Sequence, residues 1–260
     1  MDRGEVMLAV ERRAEIEKLI NERKTVLVPE LARLFDVTTE TIRGDLLKLE
    51  KQGVLVRTYG GATLAGNSGT ELGVAERDTV NYEGKQRIGH RAAELIRDGE
   101  TIFLDASTSA LHLARCIKGK RSLTVITNSN KIVTELGSCE HINVICTGGE
   151  LNHRNMSYSG RCAEKNIREN YFANKFFFSC KGATLSRGLV DSLEAEAEIK
   201  KAMMANSEIN VFLCDRNKLG KLGVNRIAPI TGVDCVISDV KLDEEWSQEL
   251  TKNDIRIINV

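Results

Sequence analysis

The chain has 260 residues, 37 of them basic and 37 acidic, so its formal net charge of zero neither favours nor excludes a polyanionic partner. No apolar stretch approaches 18 residues and the N-terminus lacks a signal-peptide pattern, so we expect a cytoplasmic protein without a membrane segment. Seven cysteines without a C-x-x-C pair and four histidines without ligand spacing predict no disulfide, metal or cofactor.

Three helix-like segments and a β-ribbon come first. Residues 11–23 have helical periodicity, Pro29 suits the first turn of a second short helix, and Thr38 or Thr39 can cap a third. The run 54–61 alternates like a strand and then turns at two glycines. This order is typical of a winged helix-turn-helix, whose last helix places its N-terminal end in the major groove of DNA.

A small helical subdomain with solvated charges is the alternative interpretation of this region. Residues 1–60 contain 11 basic and 11 acidic side chains, so charge alone does not indicate a nucleic-acid surface.

The second half of the chain follows a segment rich in Gly, Ser and Asn. We predict domains over residues 1–62 and 72–260, joined by a linker over 63–71. Strands and helices then alternate, which predicts a mostly parallel sheet with helices on both faces. The predicted strands are 101–104, 123–127, 142–147, 175–180, 209–214, 235–238 and 255–260. The predicted helices are 85–96, 109–117, 130–136, 162–170, 193–205 and 243–252.

Cysteines also occur in the predicted strands, where a reduced thiol packs as a small hydrophobic group. We expect a core position for Cys146, Cys180, Cys214 and Cys235.

Polar, hydroxyl-rich loops follow five of the predicted strands. Open α/β sheets bind ligands at the carboxyl ends of their strands, and a helix N-terminus attracts phosphate. Lys218 could supply a counter-charge, and Asp105 could accept hydrogen bonds from sugar hydroxyls. For any one loop taken alone, capping and turn formation are the favoured explanation. Five such loops together favour a polyol phosphate as the ligand.

The run T-I-R-G-D-L-L-K-L-E-K-Q-G-V-L-V-R-T-Y-G-G-A resembles the DNA-binding signature of the deoxyribose-operon repressor (DeoR) family. Gly44 replaces the usual second Arg of that signature, and Thr38 replaces the usual Ser. The exposed face of the third helix, the ribbon and this resemblance together predict the DNA-binding residues Thr38, Thr39, Thr41, Arg43, Lys48, Arg57 and Tyr59.

The resemblance continues from about Gly84 to the end of the chain. The segments L-D-A-S-T-S, T-N-S, T-G-G, Y-S-G and D-R-N-K are similar, in order, to short motifs of the family's effector half. That half is similar in fold to ribose-5-phosphate isomerase and typically senses a phosphorylated sugar or its derivative. The implied effector-binding residues are Asp105, Ser107, Thr108, Ser109, Thr127, Asn128, Ser129, Gly148 and Lys218, with Ser107 in place of the family's loop Gly.

The sequence therefore predicts an α/β protein with a small N-terminal winged helix-turn-helix and a mostly parallel sensor domain. We expect a homodimeric or homotetrameric repressor of a carbohydrate-metabolism operon, which binds double-stranded operator DNA and is released by a phosphorylated sugar. An isomerase-like enzyme is the alternative, although the acidic D-G-x-D-E-like loop of the isomerases is not found and the corresponding region reads Ala173-Asn174-Lys175. A third possibility is a C-terminal half that only oligomerises.

Overall fold

The chain divides into an N-terminal unit, Met1–Leu72, and a C-terminal unit, Gly73–Val260. The computed structural model describes residues 9–23, 25–51, 54–58, 60–64 and 73–260. Within these ranges no helix has the length and apolarity needed to cross a bilayer.

The N-terminal unit combines three helices with a three-stranded antiparallel sheet of order β1-β3-β2. Its elements are α1 (Ala9–Arg23), β1 (Thr25–Leu27), α2 (Val28–Leu34), α3 (Thr39–Lys51), β2 (Leu55–Thr58) and β3 (Gly61–Leu64). The predicted helix-turn-helix and ribbon are confirmed. Strand β1 was not predicted, because three residues are too few to show an alternating pattern.

Strand β3 corrects the predicted start of the linker. Thr63 pairs with Thr25 of β1 and with Val56 of β2, and Leu64 pairs with Leu55. Residues 63 and 64 therefore belong to this sheet, because their backbone completes its central strand.

One apolar core and one buried ion pair hold the three helices together. The buried carboxylate of Asp45 on α3 accepts bonds from Arg12 (2.6 Å) and Arg13 (3.1 Å) of α1. The core residues around it include Ile16, Ile20, Leu31, Ile42, Leu46, Leu49 and Leu55.

The C-terminal unit alternates helices with strands, as predicted. Its helices are α4 (Val74–Thr79), α5 (Tyr82–Glu94), α6 (Thr108–Cys116), α7 (Asn130–Leu136), α8 (Arg161–Asn170), α9 (Glu194–Ala205) and α10 (Glu244–Lys252), with a 3₁₀ turn at Ile230–Gly232. Helix α4 was not predicted, because six residues give no clear period.

Seven parallel strands form the main sheet in the order β15-β14-β12-β9-β4-β5-β6. They are β4 (Thr101–Leu104), β5 (Leu123–Thr127), β6 (Ile142–Cys146), β9 (Ala173–Phe178), β12 (Ser207–Cys214), β14 (Cys235–Ser238) and β15 (Arg256–Asn259). The first and last residues of each predicted strand and helix of this half lie within three residues of those observed. Two apolar clusters cover the two faces, and Phe103, Phe176, Phe178 and Phe212 pack together in one of them.

Two small antiparallel sheets were missed by the sequence analysis. One is the hairpin of β7 (Glu150–Asn152) and β8 (Ser157–Ser159), and the other joins β10 (Gly182–Thr184), β11 (Gly188–Asp191) and β13 (Asn225–Ala228). Their strands have only three or four residues, which is too short for alternation to be recognised.

The cysteines follow the prediction except at one position. Cys180, Cys214 and Cys235 are buried, and burial raises the pKa of Cys180 to about 12 and that of Cys235 to about 11. Cys146 is exposed, so its predicted core position is wrong. The reason is that β6 is the last strand of the sheet and Cys146 ends it.

Candidate functional site

The predicted DNA-binding residues of α3 lie mainly at its N-terminal end. The Thr38 hydroxyl accepts a bond from the Thr41 backbone N–H (3.1 Å) and lies 2.9 Å from the Thr41 hydroxyl, so Thr38 caps the helix. Thr39 and Lys48 are exposed. Arg43 is also exposed, and its guanidinium lies 3.0 Å from the carboxylate of Glu40, one turn earlier.

Arg57 on β2 is fixed by the other end of the same helix. Glu50 accepts bonds from the Arg57 backbone N–H (2.9 Å) and from its guanidinium (2.7 Å). These bonds from Arg57 lower the pKa of Glu50. The predicted wing cation is thus attached to α3 at a defined place. Tyr59, the other predicted wing residue, lies outside the described residues.

The predicted effector residues lie at the carboxyl edge of the main sheet. Leu104, Thr127 and Cys146 are register partners at the ends of β4, β5 and β6, so the loops beginning at Asp105, Asn128 and Thr147 are neighbours. Gly148 has φ +68° in the last of these loops. Lys218 follows β12, which β9 separates from β4.

Several hydroxyl groups of the predicted effector residues form hydrogen bonds within the protein. Ser107 caps α6 by accepting from the Ala110 N–H (3.2 Å), and Ser129 caps α7 by accepting from the Ile132 N–H (3.3 Å). The Thr127 hydroxyl accepts from the Ser129 N–H (3.0 Å). For these three residues, capping and turn formation account for the side chain.

Two other polar atoms in the same loops are fully buried without a hydrogen-bond partner among the described residues. They are the Ser109 hydroxyl, in the first turn of α6, and the Asn128 side-chain oxygen. The Asn128 amide nitrogen donates to the Tyr158 carbonyl (3.0 Å), which fixes the direction of the oxygen. Buried polar groups are rarely left unpaired, so both atoms are suited to a bound ligand.

Asp105 is held by the protein on several sides. It accepts from the Ser107 hydroxyl (2.5 Å) and from the Ser179 N–H (3.3 Å), and Lys200 lies 3.5 Å away. Burial raises the pKa of the Asp105 carboxyl, whereas Lys200 and these hydrogen bonds act in the opposite direction.

Three charged residues of this region were not predicted from the sequence, namely Lys200, Asp191 and Glu196. Lys200 of α9 lies 2.8 Å from Asp191 as well as near Asp105, and all three are buried. Burial opposes the charged form of Lys200, but the carboxylates of Asp191 and Asp105 outweigh it and raise its pKa. Glu196, one turn earlier, accepts from the Ser157 hydroxyl and from the Asn155 amide (3.4 Å). The sequence signal for Glu196 and Lys200 was their opposite charge at i, i+4 spacing on a helix otherwise rich in small and apolar residues.

A lysine beside this edge is also buried. The Lys85 ammonium donates to the backbone carbonyls of Arg77 and Val80, the second at 2.7 Å. Burial lowers the pKa of Lys85 to about 8, and the nearby Asp215 carboxylate opposes that shift. Lys85 therefore fastens the end of α4 to α5.

Helix α4 makes side-chain bonds to two elements that carry effector loops. Arg77 donates to Asn155, beside β8 (3.0 Å), and Asp78 accepts from Arg115 of α6 (3.0 Å). The ring of His112, also on α6, lies 3.1 Å from Asp78. The hairpin in turn contacts the loop after β5, because the backbone N–H of Tyr158 donates to the Asn128 carbonyl (2.7 Å).

Two family models match the chain. A DeoR-like helix-turn-helix domain matches residues 12–67, and a DeoR C terminal sensor domain matches residues 80–240.

Similar proteins match nearly the whole chain. The uncharacterized HTH-type transcriptional regulator YulB of Bacillus subtilis (strain 168) is 39% identical over 98% of both chains. The transcriptional repressor AccR of Agrobacterium fabrum (strain C58) is 30% identical over 88% of this chain and 89% of its own. Among solved structures, ribose 5-phosphate isomerase A of Methanocaldococcus jannaschii has 16% identity and a TM-score of 0.40, covering 54% of this chain and 55% of that one.

Proposed function

This chain belongs to the DeoR family of DNA-binding transcriptional regulators, and we propose that it is a repressor that leaves its operator when a phosphorylated sugar binds at the carboxyl edge of the main sheet. The described loops support a ligand of this class. The first turn of α6 offers backbone N–H groups and a helix dipole to a phosphate. Lys218, in the loop after β12, can add a cation.

The unpaired atoms of Ser109 and Asn128 are the observation that carries this proposal. The Asn128 oxygen can only accept a hydrogen bond, whereas the Ser109 hydroxyl can donate or accept. A phosphate provides acceptors and a sugar hydroxyl provides donors, so one sugar phosphate could satisfy both atoms. Leaving such atoms unpaired costs about 1–3 kcal/mol each, which a fitting ligand would recover.

Helix α4 is the first helix of the C-terminal unit in sequence, and our proposal is that the effector acts on the rest of the chain through it. A ligand that bonds Ser109 acts on α6, to which Asp78 is attached. A ligand that bonds Asn128 acts on the hairpin, to which Arg77 is attached through Asn155. Such a ligand weakens DNA binding only if it prefers the arrangement of α4 that disfavours the operator complex.

The test uses two serines with different duties. Ser109→Ala removes a hydroxyl that has no described partner, so we expect normal melting and weaker binding of the sugar phosphate that most raises the melting temperature of the wild type. Ser129→Ala removes a helix cap instead and should cost about 0.5–2 kcal/mol of stability with little change in effector affinity. Equal effector affinity in the wild type and Ser109→Ala would contradict the placement of the ligand.

Two further readouts separate the competing functions. Operator release by the same sugar phosphate is expected of a regulator, and a C-terminal half that only oligomerises would not respond to it. Conversion of that sugar phosphate by the purified protein would instead support the isomerase-like alternative.

A further inference from the structure

Four residues form one exposed stripe along α3. Arg43 and Gly44 follow Glu40 by three and four residues, and Leu47 follows them by four and three, so Glu40, this adjacent pair and Leu47 lie on the same side of the helix. The side chains of Glu40 and Arg43 are 82% and 60% exposed. Leu47 is 37% exposed, although the other leucines in the middle of α3, Leu46 and Leu49, are buried.

The Glu40 carboxylate, at the start of this stripe, does not cap the helix. Thr38 supplies the cap of α3, and its hydroxyl bonds the N–H of Thr41. In the described structure the Glu40 carboxylate instead forms an ion pair with Arg43. A charged pair thus projects from the first turn of the helix, with acceptors on one residue and donors on the other.

We propose that Glu40 and Arg43 read one base pair of the operator together, with Arg43 on guanine and Glu40 on cytosine. In the major groove, guanine presents two acceptors that match a guanidinium, and cytosine presents an amino donor that matches a carboxylate. A carboxylate also repels phosphates and bases that offer only acceptors, so Glu40 makes incorrect sites unfavourable. The proposal rests on α3 being the recognition helix.

The next turn of the stripe fits a different group. A Cβ atom at Gly44 would have nothing within 4 Å, so this glycine is not required by packing and leaves the backbone bare. Leu47 lies beside it with exposed apolar surface. The C5 methyl of thymine is the apolar group of the major groove, and the bare backbone at Gly44 together with the Leu47 side chain can form an apolar contact with it. One helical turn is about 5.4 Å and one base step about 3.4 Å, so this thymine lies about one to two base pairs from the G·C pair.

The experiment begins with selection of operator sequences from random duplex DNA by the full chain. Affinities are then measured for the selected site and for each single base-pair change, with melting temperatures recorded for every variant. Glu40→Gln should reduce discrimination at one G·C pair by about tenfold to a hundredfold. Glu30→Gln is the matched control, because it removes the same charge from an exposed position on α2 and should change all sequences alike.

The thymine contact has its own test. Replacing the predicted thymine by deoxyuridine removes only the methyl group and should weaken wild-type binding about fourfold, the value of one buried CH₂-sized group. In Leu47→Ala the same replacement should have a much smaller effect. Equal effects in the wild type and Leu47→Ala would overturn this contact.

Failure of the inference and failure of its premise give different results. If Arg43→Ala relaxes one position but Glu40→Gln behaves like Glu30→Gln, the shared reading of one base pair is wrong. If neither Arg43→Ala nor Glu40→Gln alters any base preference, α3 is not the recognition helix. A lower melting temperature of Glu40→Gln with unchanged preferences would show a purely structural role for this carboxylate.

Discussion

Replacing Lys200 with methionine tests whether the buried charges beneath the strand-end loops form one unit. The substitution keeps a long side chain of similar volume, so it creates little cavity. It removes the cation that lies 2.8 Å from Asp191 and 3.5 Å from Asp105, and leaves both carboxylates buried. The variant therefore isolates the loss of charge from the loss of packing.

The expected effect is large. Removing one partner of a buried ion pair costs about 3–5 kcal/mol, because the remaining charge stays desolvated. Whole domains have a free energy of unfolding of about 5–15 kcal/mol, so Lys200→Met should lose about a fifth or more of that stability. The adjacent Lys201 pairs with Glu198 at 2.7 Å, but the two side chains are 40% and 32% exposed. Lys201→Met should therefore cost less than about 1 kcal/mol.

Urea unfolding followed by tryptophan fluorescence measures this difference. The chain has one tryptophan, Trp246 on α10, and it is nearly buried in the C-terminal unit. Adding Asp191→Asn to Lys200→Met should restore part of the lost stability, since the second change removes one of the uncompensated carboxylates.

The deficit of Lys200→Met should depend on pH in a defined direction. Burial already raises the pKa of Asp105, and removal of Lys200 takes away an interaction that lowers it. A carboxyl with a raised pKa in the folded state favours folding when protonated, and that contribution is lost as the pH rises through this pKa. The deficit should therefore be smaller at pH 5 than at pH 7. Similar losses for Lys200→Met and Lys201→Met, or a deficit that does not change with pH, would refute the reasoning.

Four further outcomes are expected. Arg57→Ala should weaken binding to all DNA sequences alike and reduce the slope of log affinity against log salt by about one, as measured by fluorescence anisotropy. Asn155→Ala should keep its affinity for the sugar phosphate but release the operator poorly, because it loses a link between the hairpin and α4; normal release would remove Asn155 from the route. Gly149→Ala should lower the melting temperature more than Gly148→Ala, since its Cβ would lie 2.5 Å from the Ser159 carbonyl oxygen whereas that of Gly148 meets open space. Sedimentation at micromolar concentration should show at least a dimer, because a symmetric pair of recognition helices reads two half-sites; a monomer with and without DNA would contradict this.

The order of the main elements could be predicted from the sequence, because apolar periodicity decides it. The strands of the main sheet are buried on both faces, so they stand out as continuous apolar runs such as Phe176 to Phe178. The loops after them could be identified as ligand-binding candidates, because parallel strands bring their carboxyl ends to one edge.

The division of labour among the hydroxyls could not be predicted. Ser107, Ser109 and Ser129 are the same residue type in similar loops. Which of them caps a helix depends on where that helix begins, because the cap is the residue just before its first turn. Lys200 was missed for a related reason, because a lysine in a helix is normally solvated and only the folded chain brings Asp191 and Asp105 to it. Asp105→Ala would therefore lose the bonds to Lys200 and Ser179 besides any bond to a ligand.

The strand order has a consequence for synthesis on the ribosome. Strand β4, the first of the main sheet to be made, lies in its interior; β5 and β6 extend the sheet on one side, and β9, β12, β14 and β15 extend it on the other in the order in which they are translated. Each new strand can therefore join an edge that already exists, and none has to insert between two paired strands. Until the last strand is released, however, a strand that is interior in the finished sheet lies at its growing edge, and unpaired edges are the part of a β-sheet most prone to aggregation.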